Sequence, residues 1–566
     1  MNAAPPVVSV YAPGSKALVR GVSLLVVALA LLVLLVGFAG SAAAAAGVDS
    51  GIQTLGDGTD AANSTPLDDA NGTTTVIVRF TPVEEPDELG SSDGDGSEAV
   101  SDLREHAAAE QTAFESFADA RPGVTVEREF WLANAMLVTV DADAVDTADL
   151  LAVANVTRIH ENVAIETLDG GVAASASQPA AFRAVPHPPQ IDAEPSGTHT
   201  AGLRLVDAPT AWERFGTRGA GASVAVIDTG VDPAHRDITV AGWASFDENG
   251  TLLSDDRADA VDPDGHGTHV AGTVSGGNAS GTHIGVAPDA DLYAIDAFGE
   301  DGSATFAGVL AAMEHATVEN DADVLQMSLG ANGTFRGFIA PVRNARATGS
   351  IVVTAAGNEG PDTSSGPGNV YDALAVGAVD HDRAVAAFSS GQPINATAAF
   401  GAYPDDWPEH YVVPDVTAPG VGVVSAAAGT TDGYVRRQGT SMAAPHVSGI
   451  AALAVAATDG RVTDADLQAA IVDTAVHPTG ASSPDARYGH GVADAPAAVA
   501  AAVEATPPEP EPTESGGGTA EGVEDGVADD AQTNDDIPGF GPLVAVVSLA
   551  AAASLVRRTR RGPGDR

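Results

Sequence analysis

Between residues 199 and 505, apolar runs of strand length alternate with runs of helical pattern: 223–227, 270–275, 292–297, 309–319, 324–328, 351–355 and 374–379. A chain that keeps switching between these two periods buries both kinds of surface by laying helices over a largely parallel sheet. The expected fold class of this region is therefore α/β, a mostly parallel sheet flanked by helices.

The segment ahead of it reads differently. Residues 74–80 form a strand pattern, 100–120 a helix, 124–130 and 134–140 a strand pair, 144–154 a second helix and 156–166 a last strand. The order β-α-β-β-α-β describes a small ferredoxin-like α+β module, which by itself implies no function. It spans 72–168 and follows a Gly/Asp/Thr-rich linker at 47–71. Residues 169–198 are Ala/Pro/Gln-rich, with the composition of an exposed, cleavable connection. The α/β region occupies 199–505.

Both ends carry export-type signals. Lys16 and Arg20 precede an apolar stretch at 21–40 and then SAAAAAG, so residues 1–46 read as a signal peptide. The stretch is also long enough for an uncleaved membrane anchor. Residues 506–536 hold ten acids and no base, the composition of a disordered spacer. PGFG (Pro538–Gly541), an apolar run at 542–556 and RRTRR at 557–561 follow, giving a tail at 537–561 with a positive end.

The chain has 77 Asp+Glu against 26 Lys+Arg, a formal net charge of −51, and Lys16 is its only lysine. Self-repulsion on that scale opposes a compact state unless ions screen it, and the Debye length contracts to about 3 Å at 1 M salt. A protein adapted to very high salt is expected. Nothing here neutralises phosphates, so nucleic acid is excluded as a partner. The absence of cysteine removes thiol catalysis, disulfides and thiolate metal sites together.

One serine carries the functional question. In GTSMAAPHVSG, Ser441 follows a glycine and precedes an Ala-rich helical run, with Pro445 expected in the first helical turn. A helix N-terminus stabilises negative charge, so an oxyanion forming there is favoured. A lone serine in that place is more simply an N-cap. Two further stretches supply what a nucleophile needs: Asp228 closes an apolar strand in VAVIDTGVDPAH, and His266 opens another apolar run in DGHGTHVAGT. An imidazole would take the Ser441 proton and a carboxylate would orient it. Asp228-Thr229-Gly230 also spells an aspartic-protease motif, but that chemistry needs two carboxylates sharing one proton, and this reading is set aside. His266 and His269 lack the intervening glutamate of a zinc-protease helix, so His269 reads as structural. His446 is expected to face another side of its helix and His235 to be solvated in a loop.

Four motifs in order, IDTG around Asp228, HGTHVAG around His266, AAGNEG around Asn358 and GTSMAAPHVSG around Ser441, resemble the subtilisin-like serine proteases over roughly three hundred residues. The resemblance implies a subtilisin-like fold and a triad of Asp228, His266 and Ser441. It also implies an oxyanion donor, Asn358. Removing one such donor from subtilisin is the standard example of a loss of about 10²–10³ in kcat, so this magnitude is transferred from a relative. The resemblance further implies that peptide substrates add as a strand, with Gly302, Ser303, Ser328, Leu329 and Gly330 as the matching binding positions.

The 72–168 module resembles the family's inhibitory propeptide, an intramolecular partner that blocks the site until it is cut off. The tail resembles a PGF-CTERM sorting signal, which implies processing by an archaeosortase-like membrane enzyme and surface anchoring. No cofactor is required for the chemistry. Structural calcium is the one cation many relatives imply, yet the matching loop, 275–283, contains no carboxylate; Asp262 and Asp264 nearby read either as cation ligands or as solvated surface. An exported serine endopeptidase made as a zymogen is the reading favoured here. A silent surface-anchored scaffold, or a maturation protease with few substrates, are the alternatives.

Overall fold

The computed structural model describes residues 47–48, 67, 72–83, 85–86, 89, 96–168, 197–299, 302–481 and 484–507. The expected signal or anchor segment, most of the two linkers, the acidic spacer and the sorting tail lie outside the described residues.

The N-terminal module is built from β1 (Thr73–Phe80), α1 (Ser97–Ala120), β2 (Val124–Phe130), β3 (Ala135–Asp141), α2 (Thr147–Leu151) and β4 (Val156–Glu161). Its strands lie in the order β4-β1-β3-β2, all antiparallel, and Gly47–Val48 adds alongside β4. The alternation of a strand fixes where each face goes. Val76, Val78, Val138 and Val140 point inward with Phe114 of α1. Ile77 and Leu137, with Phe130 and Leu132, point the other way into a core shared with the α/β region. Burying side chains of this size is worth about 1.5–3 kcal/mol each, so this shared face is a substantial attachment.

The expected strand at 156–166 is two strands. Asn162 and Val163 leave the module's sheet, and β5 (Ala164–Thr167) belongs to a different one. The expected helix at 144–154 contracts to five residues because Asp146 caps it, accepting from the Asp149 N–H at 2.8 Å.

The α/β region places β6 (Ser223–Asp228), β7 (Gly242–Phe246), β8 (Leu252–Ser254), β9 (Asp291–Asp296), β10 (Val324–Met327), β12 (Ile351–Ala355), β13 (Leu374–Val379) and β14 (Val416–Pro419) in one eight-stranded sheet. The spatial order is β14-β13-β12-β10-β6-β9-β7-β8, parallel throughout except for the antiparallel edge strand β8. The short β11 (Leu329–Asn332) follows β10 outside this sheet. Both faces are covered. On β6, Val224 and Val226 enter one core while Ala225 and Ile227 enter the other. That explains runs without polar alternation.

The apolar run at 270–275 belongs to helix α3 (His266–Ser275), all of whose residues are buried. A short apolar run buried on every side carries no period that separates helix from strand. Helix α4 (Phe306–Val318) lies on the face shared with the module, and α5 (Thr440–Ala457) on the opposite face.

Pro445 lies in the second turn of α5 rather than the first. Its missing N–H leaves the Ser441 carbonyl without an i+4 donor. The Ser328 hydroxyl takes that place, donating to Ser441 O at 2.8 Å.

Candidate active site

Strand ends and helix starts converge at one point. Asp228 is the last residue of β6, His266 the first of α3, Asn358 follows β12 in a Gly-rich turn, and Ser441 is the second residue of α5. Helices α3 and α5 pack against each other. Gly439, just ahead of α5, has φ 153°, a conformation that glycine alone adopts readily. Asp228, His266 and Ser441 have no solvent exposure.

His266 Nδ1 bonds to Asp228 Oδ1 at 2.7 Å, and the same oxygen accepts from the Thr229 N–H at 2.8 Å. This fixes the imidazole so that Nε2 is its other reactive nitrogen. Asn358 is held by Oδ1, which accepts from the Thr440 N–H at 2.9 Å and the Thr440 hydroxyl at 3.1 Å. Its Nδ2 is thereby turned into the site, where it donates to the carbonyl of Leu168. The Ser441 hydroxyl donates to the same Leu168 oxygen at 2.6 Å, and lies 3.2 Å from Ser328 O.

Leu168 arrives as the end of an inserted strand. β5 runs antiparallel between Ala304–Thr305 and β11, pairing Ala304 with Ile165, Thr305 with Ala164, Leu329 with Thr167 and Gly330 with Glu166. The Leu168 N–H continues the ladder to Ser328 O at 3.3 Å. The Leu168 side chain is buried, and a Cβ on Gly330 would lie 3.3 Å from Leu168 Cδ1 and 2.5 Å from Gly366 O. Gly330 therefore keeps open the pocket in which this leucine sits.

Of the expected binding positions, Ser328, Leu329 and Gly330 line the inserted strand. Gly302 and Ser303 stand immediately ahead of the paired residues Ala304–Thr305. Gly302 turns at φ 75°, and the pairing begins two residues further on at Ala304. The sequence reading missed Leu168, Thr440 and Ala304–Thr305. The 72–168 boundary already ends at the leucine, which is the one signal available for it.

Asp262 and His235 correct the surface readings, whereas Asp264 is exposed. Asp262 is buried and serves both catalytic loops. Oδ1 accepts from the Thr229 hydroxyl at 3.0 Å and the Gly265 N–H at 2.7 Å, while Oδ2 accepts from the Thr268 N–H at 2.7 Å and its hydroxyl at 2.6 Å. Burial pushes its carboxyl up to about 6, with Asp228 adding to the rise. Asp264 accepts from the His266 N–H at 3.1 Å. His235 is buried rather than solvated, with Nε2 at 2.8 Å from Gly433 O, because residues 433–434 fold over it. His269 is held at Val423 O and His446 at Met442 O, and burial drives His269 well below the usual histidine range and His446 down to about 4.

The loop at 275–283 borrows a carboxylate from elsewhere. Asp237 accepts from the Ala279 N–H through Oδ1 and from the Tyr434 hydroxyl through Oδ2, at 2.7 Å for the latter. Both oxygens face hydrogen-bond donors, so these residues do not fit a calcium ion.

The module is fastened to the same region. Glu314 of α4 accepts from the Leu132 N–H at 3.0 Å, and Asn344 Nδ2 donates to Leu132 O at 2.7 Å. Arg79 donates to Gly337 O at 2.9 Å, and Asn162 Oδ1 accepts from the Ala307 N–H at 2.9 Å.

Comparison with known proteins agrees with this arrangement. Residues 219–491 match the subtilase family, and residues 537–558 match the PGF-CTERM motif, which marks an exported, cell-surface protein. The chain is 38% identical over 264 residues to alkaline elastase YaB of Bacillus sp. (strain YaB), covering 46% of this chain and 62% of that one. It is 38% identical over 252 residues to M-protease of Shouchella clausii (strain KSM-K16), covering 44% of this chain and 58% of that one. With subtilisin BL of Lederbergia lenta it is 38% identical over 252 residues, 44% of this chain and 82% of that one. A buried Asp–His pair, a serine at a helix start, and sequence likeness across most of subtilisin BL together make this chain a member of the subtilase family.

Proposed function

We propose that the protein is an exported serine endopeptidase, made as a self-inhibited zymogen and working at high salt. One observation carries the reading: the Leu168 carbonyl oxygen receives both the Ser441 hydroxyl and Asn358 Nδ2, at the end of a strand held between Ala304–Thr305 and β11. That is the pose of a peptide about to be cut, or just cut, after Leu168.

Ser441 Oγ turns its proton to His266 Nε2 as it bonds to the carbonyl carbon. Asp228 keeps Nδ1 protonated and stabilises the imidazolium. Asn358 Nδ2 meets the charge that develops on the carbonyl oxygen. The C–N bond then breaks, His266 gives its proton to the leaving amine, and water releases the acyl group from Ser441. Pairing through main-chain groups suits protein and peptide substrates of varied sequence, and the pocket beside Gly330 favours a large apolar side chain before the cut. The 72–168 module, clamped at Leu132 and buried against α4, acts as the intramolecular inhibitor. An archaeosortase-like enzyme is the expected processing partner for the tail, with the membrane as final anchor.

The test expresses the chain and Ser441→Ala in a high-salt host and follows casein hydrolysis. Hydrolysis by the first and none by the second supports the reading. Equal inertness of both, after removal of the N-terminal module, overturns it in favour of a silent scaffold.

A further inference from the structure

Beneath the nucleophile, a line of hydrogen-bonded polar groups crosses the core that β10 and α5 otherwise fill with apolar side chains. Val324 of β10 faces that core, and the alternation of a strand turns Gln326 the same way. Gln326, Ser328, Ser441 and Ser448 have no solvent exposure. Ser448 of α5 donates its hydroxyl to Gln326 Oε1. Gln326 Nε2 donates to Ser328 Oγ at 2.8 Å, and the Ser328 hydroxyl donates to Ser441 O at 2.8 Å. The direction is dictated from the far end. A carbonyl oxygen only accepts, so Ser328 must donate to Ser441 O, and its own oxygen is left to accept. Gln326 must then present its amide nitrogen to Ser328, which turns Oε1 to Ser448 and makes that hydroxyl a donor. Pro445 gives the line its task, since it removes the i+4 N–H that would otherwise hold the Ser441 carbonyl. Ser328 also meets the inserted strand: its main-chain oxygen receives the Leu168 N–H at 3.3 Å and lies 3.2 Å from Ser441 Oγ.

We infer that Gln326 and Ser448 are positioning residues for the reaction, holding the backbone of Ser441 at a fixed distance from the edge at Ser328 on which the peptide strand lies. The inference rests on the peptidase reading above. Both residues act through Ser328, whose hydroxyl they orient. An amide buried among hydrocarbon is costly unless it is paired, and here the pairing runs straight to the nucleophile. Rate depends steeply on where the attacking oxygen stands relative to the carbonyl carbon. Without the Ser448 hydroxyl the amide is free to reverse, and Oε1 then draws the Ser328 hydrogen away from Ser441 O.

The experiment uses enzyme matured from the full chain in high salt, with an internally quenched peptide that carries a central leucine. Ser448→Ala lowers kcat about tenfold with KM unchanged, inside the roughly hundredfold that a slight misplacement of reacting groups can cost. Alanine is the better helix former, so helix propensity alone predicts no loss. Gln326→Met, of similar length and without the amide, lowers kcat to a similar degree. The two changes combined cost no more than the larger one alone, because they break the same line. In the full chain, where the strand is already in place, release of the N-terminal module slows by the same factor in each variant. Either single variant reports by itself. Unchanged kcat, a loss carried by KM instead, or losses that multiply in the double variant overturns the inference and leaves the peptidase reading intact. No hydrolysis by the wild type overturns the peptidase reading, and the positioning role with it.

Discussion

At the scale of single residues, polar groups are held by other polar groups before they touch a substrate. Asn358 is useful because Thr440 occupies its oxygen and leaves its nitrogen to point at a carbonyl. Asn358→Leu should lower kcat by about 10²–10³ with little change in KM, a magnitude transferred from the same change in subtilisin; steady-state kinetics on one peptide would show it. His160 of β4 offers a second test. It is buried between Phe306 and Phe335, and burial with Arg79 and Arg158 nearby drives its pKa down to about 3. Glu161 O, bonded to Nδ1, opposes that shift. A histidine lowered in this way contributes stability in full above its ordinary value of 6.5, and loses it as pH falls toward 3. In the uncleavable Ser441→Ala chain, the melting temperature of His160→Phe relative to its parent should be constant above pH 6.5. It should shift in favour of the variant below that pH. A pH-independent difference would contradict the assignment. Asp228, His266, Asn358 and Ser441 were legible in the sequence because each stands within two residues of a glycine at the edge of an apolar run. Leu168 and Thr440 were not, since their part depends on contacts with residues 273 and 82 positions away.

At the scale of elements, the sheet was legible from its apolar runs, and the module from its strand and helix order. The division of 156–166 into β4 and β5 was not. Nothing local marks Asn162-Val163 as the place where the chain changes sheets. The reason lies across the interface, where the Phe306 N–H bonds to Val163 O at 2.9 Å and Asn162 caps Ala307. The pairing of Ala304–Thr305 with β5 was not legible for the same reason. Helix α5 shows a compensation that the sequence conceals. Pro445 frees the Ser441 carbonyl, and Ser328 Oγ, itself receiving Gln326 Nε2 at 2.8 Å, satisfies it. Ser328→Ala in the Ser441→Ala background strands both groups in the interior. It should reduce unfolding free energy by about 1–3 kcal/mol, measured by denaturant titration in high salt. An unchanged midpoint would show that another donor reaches the carbonyl.

At the scale of the whole molecule, charge and burial set the working conditions. A formal charge of −51 opposes the compact state through self-repulsion, which ions screen. The folded signal of the Ser441→Ala chain should therefore collapse as salt is dialysed from about 3 M to below about 0.2 M, where the Debye length grows past roughly 7 Å. A melting temperature independent of salt would contradict adaptation to brine. On the proposed reading the chain carries its own first substrate: β5 brings Leu168 to Ser441 while Glu314 and Asn344 grip the module at Leu132. The most direct measurement is the mass of the N-terminal fragment released when the wild-type chain matures, set against Ser441→Ala. The structure predicts a fragment whose last residue is Leu168, absent from the variant. A fragment that ends elsewhere, or one that appears equally from Ser441→Ala, would contradict the central claim that this serine cuts this bond.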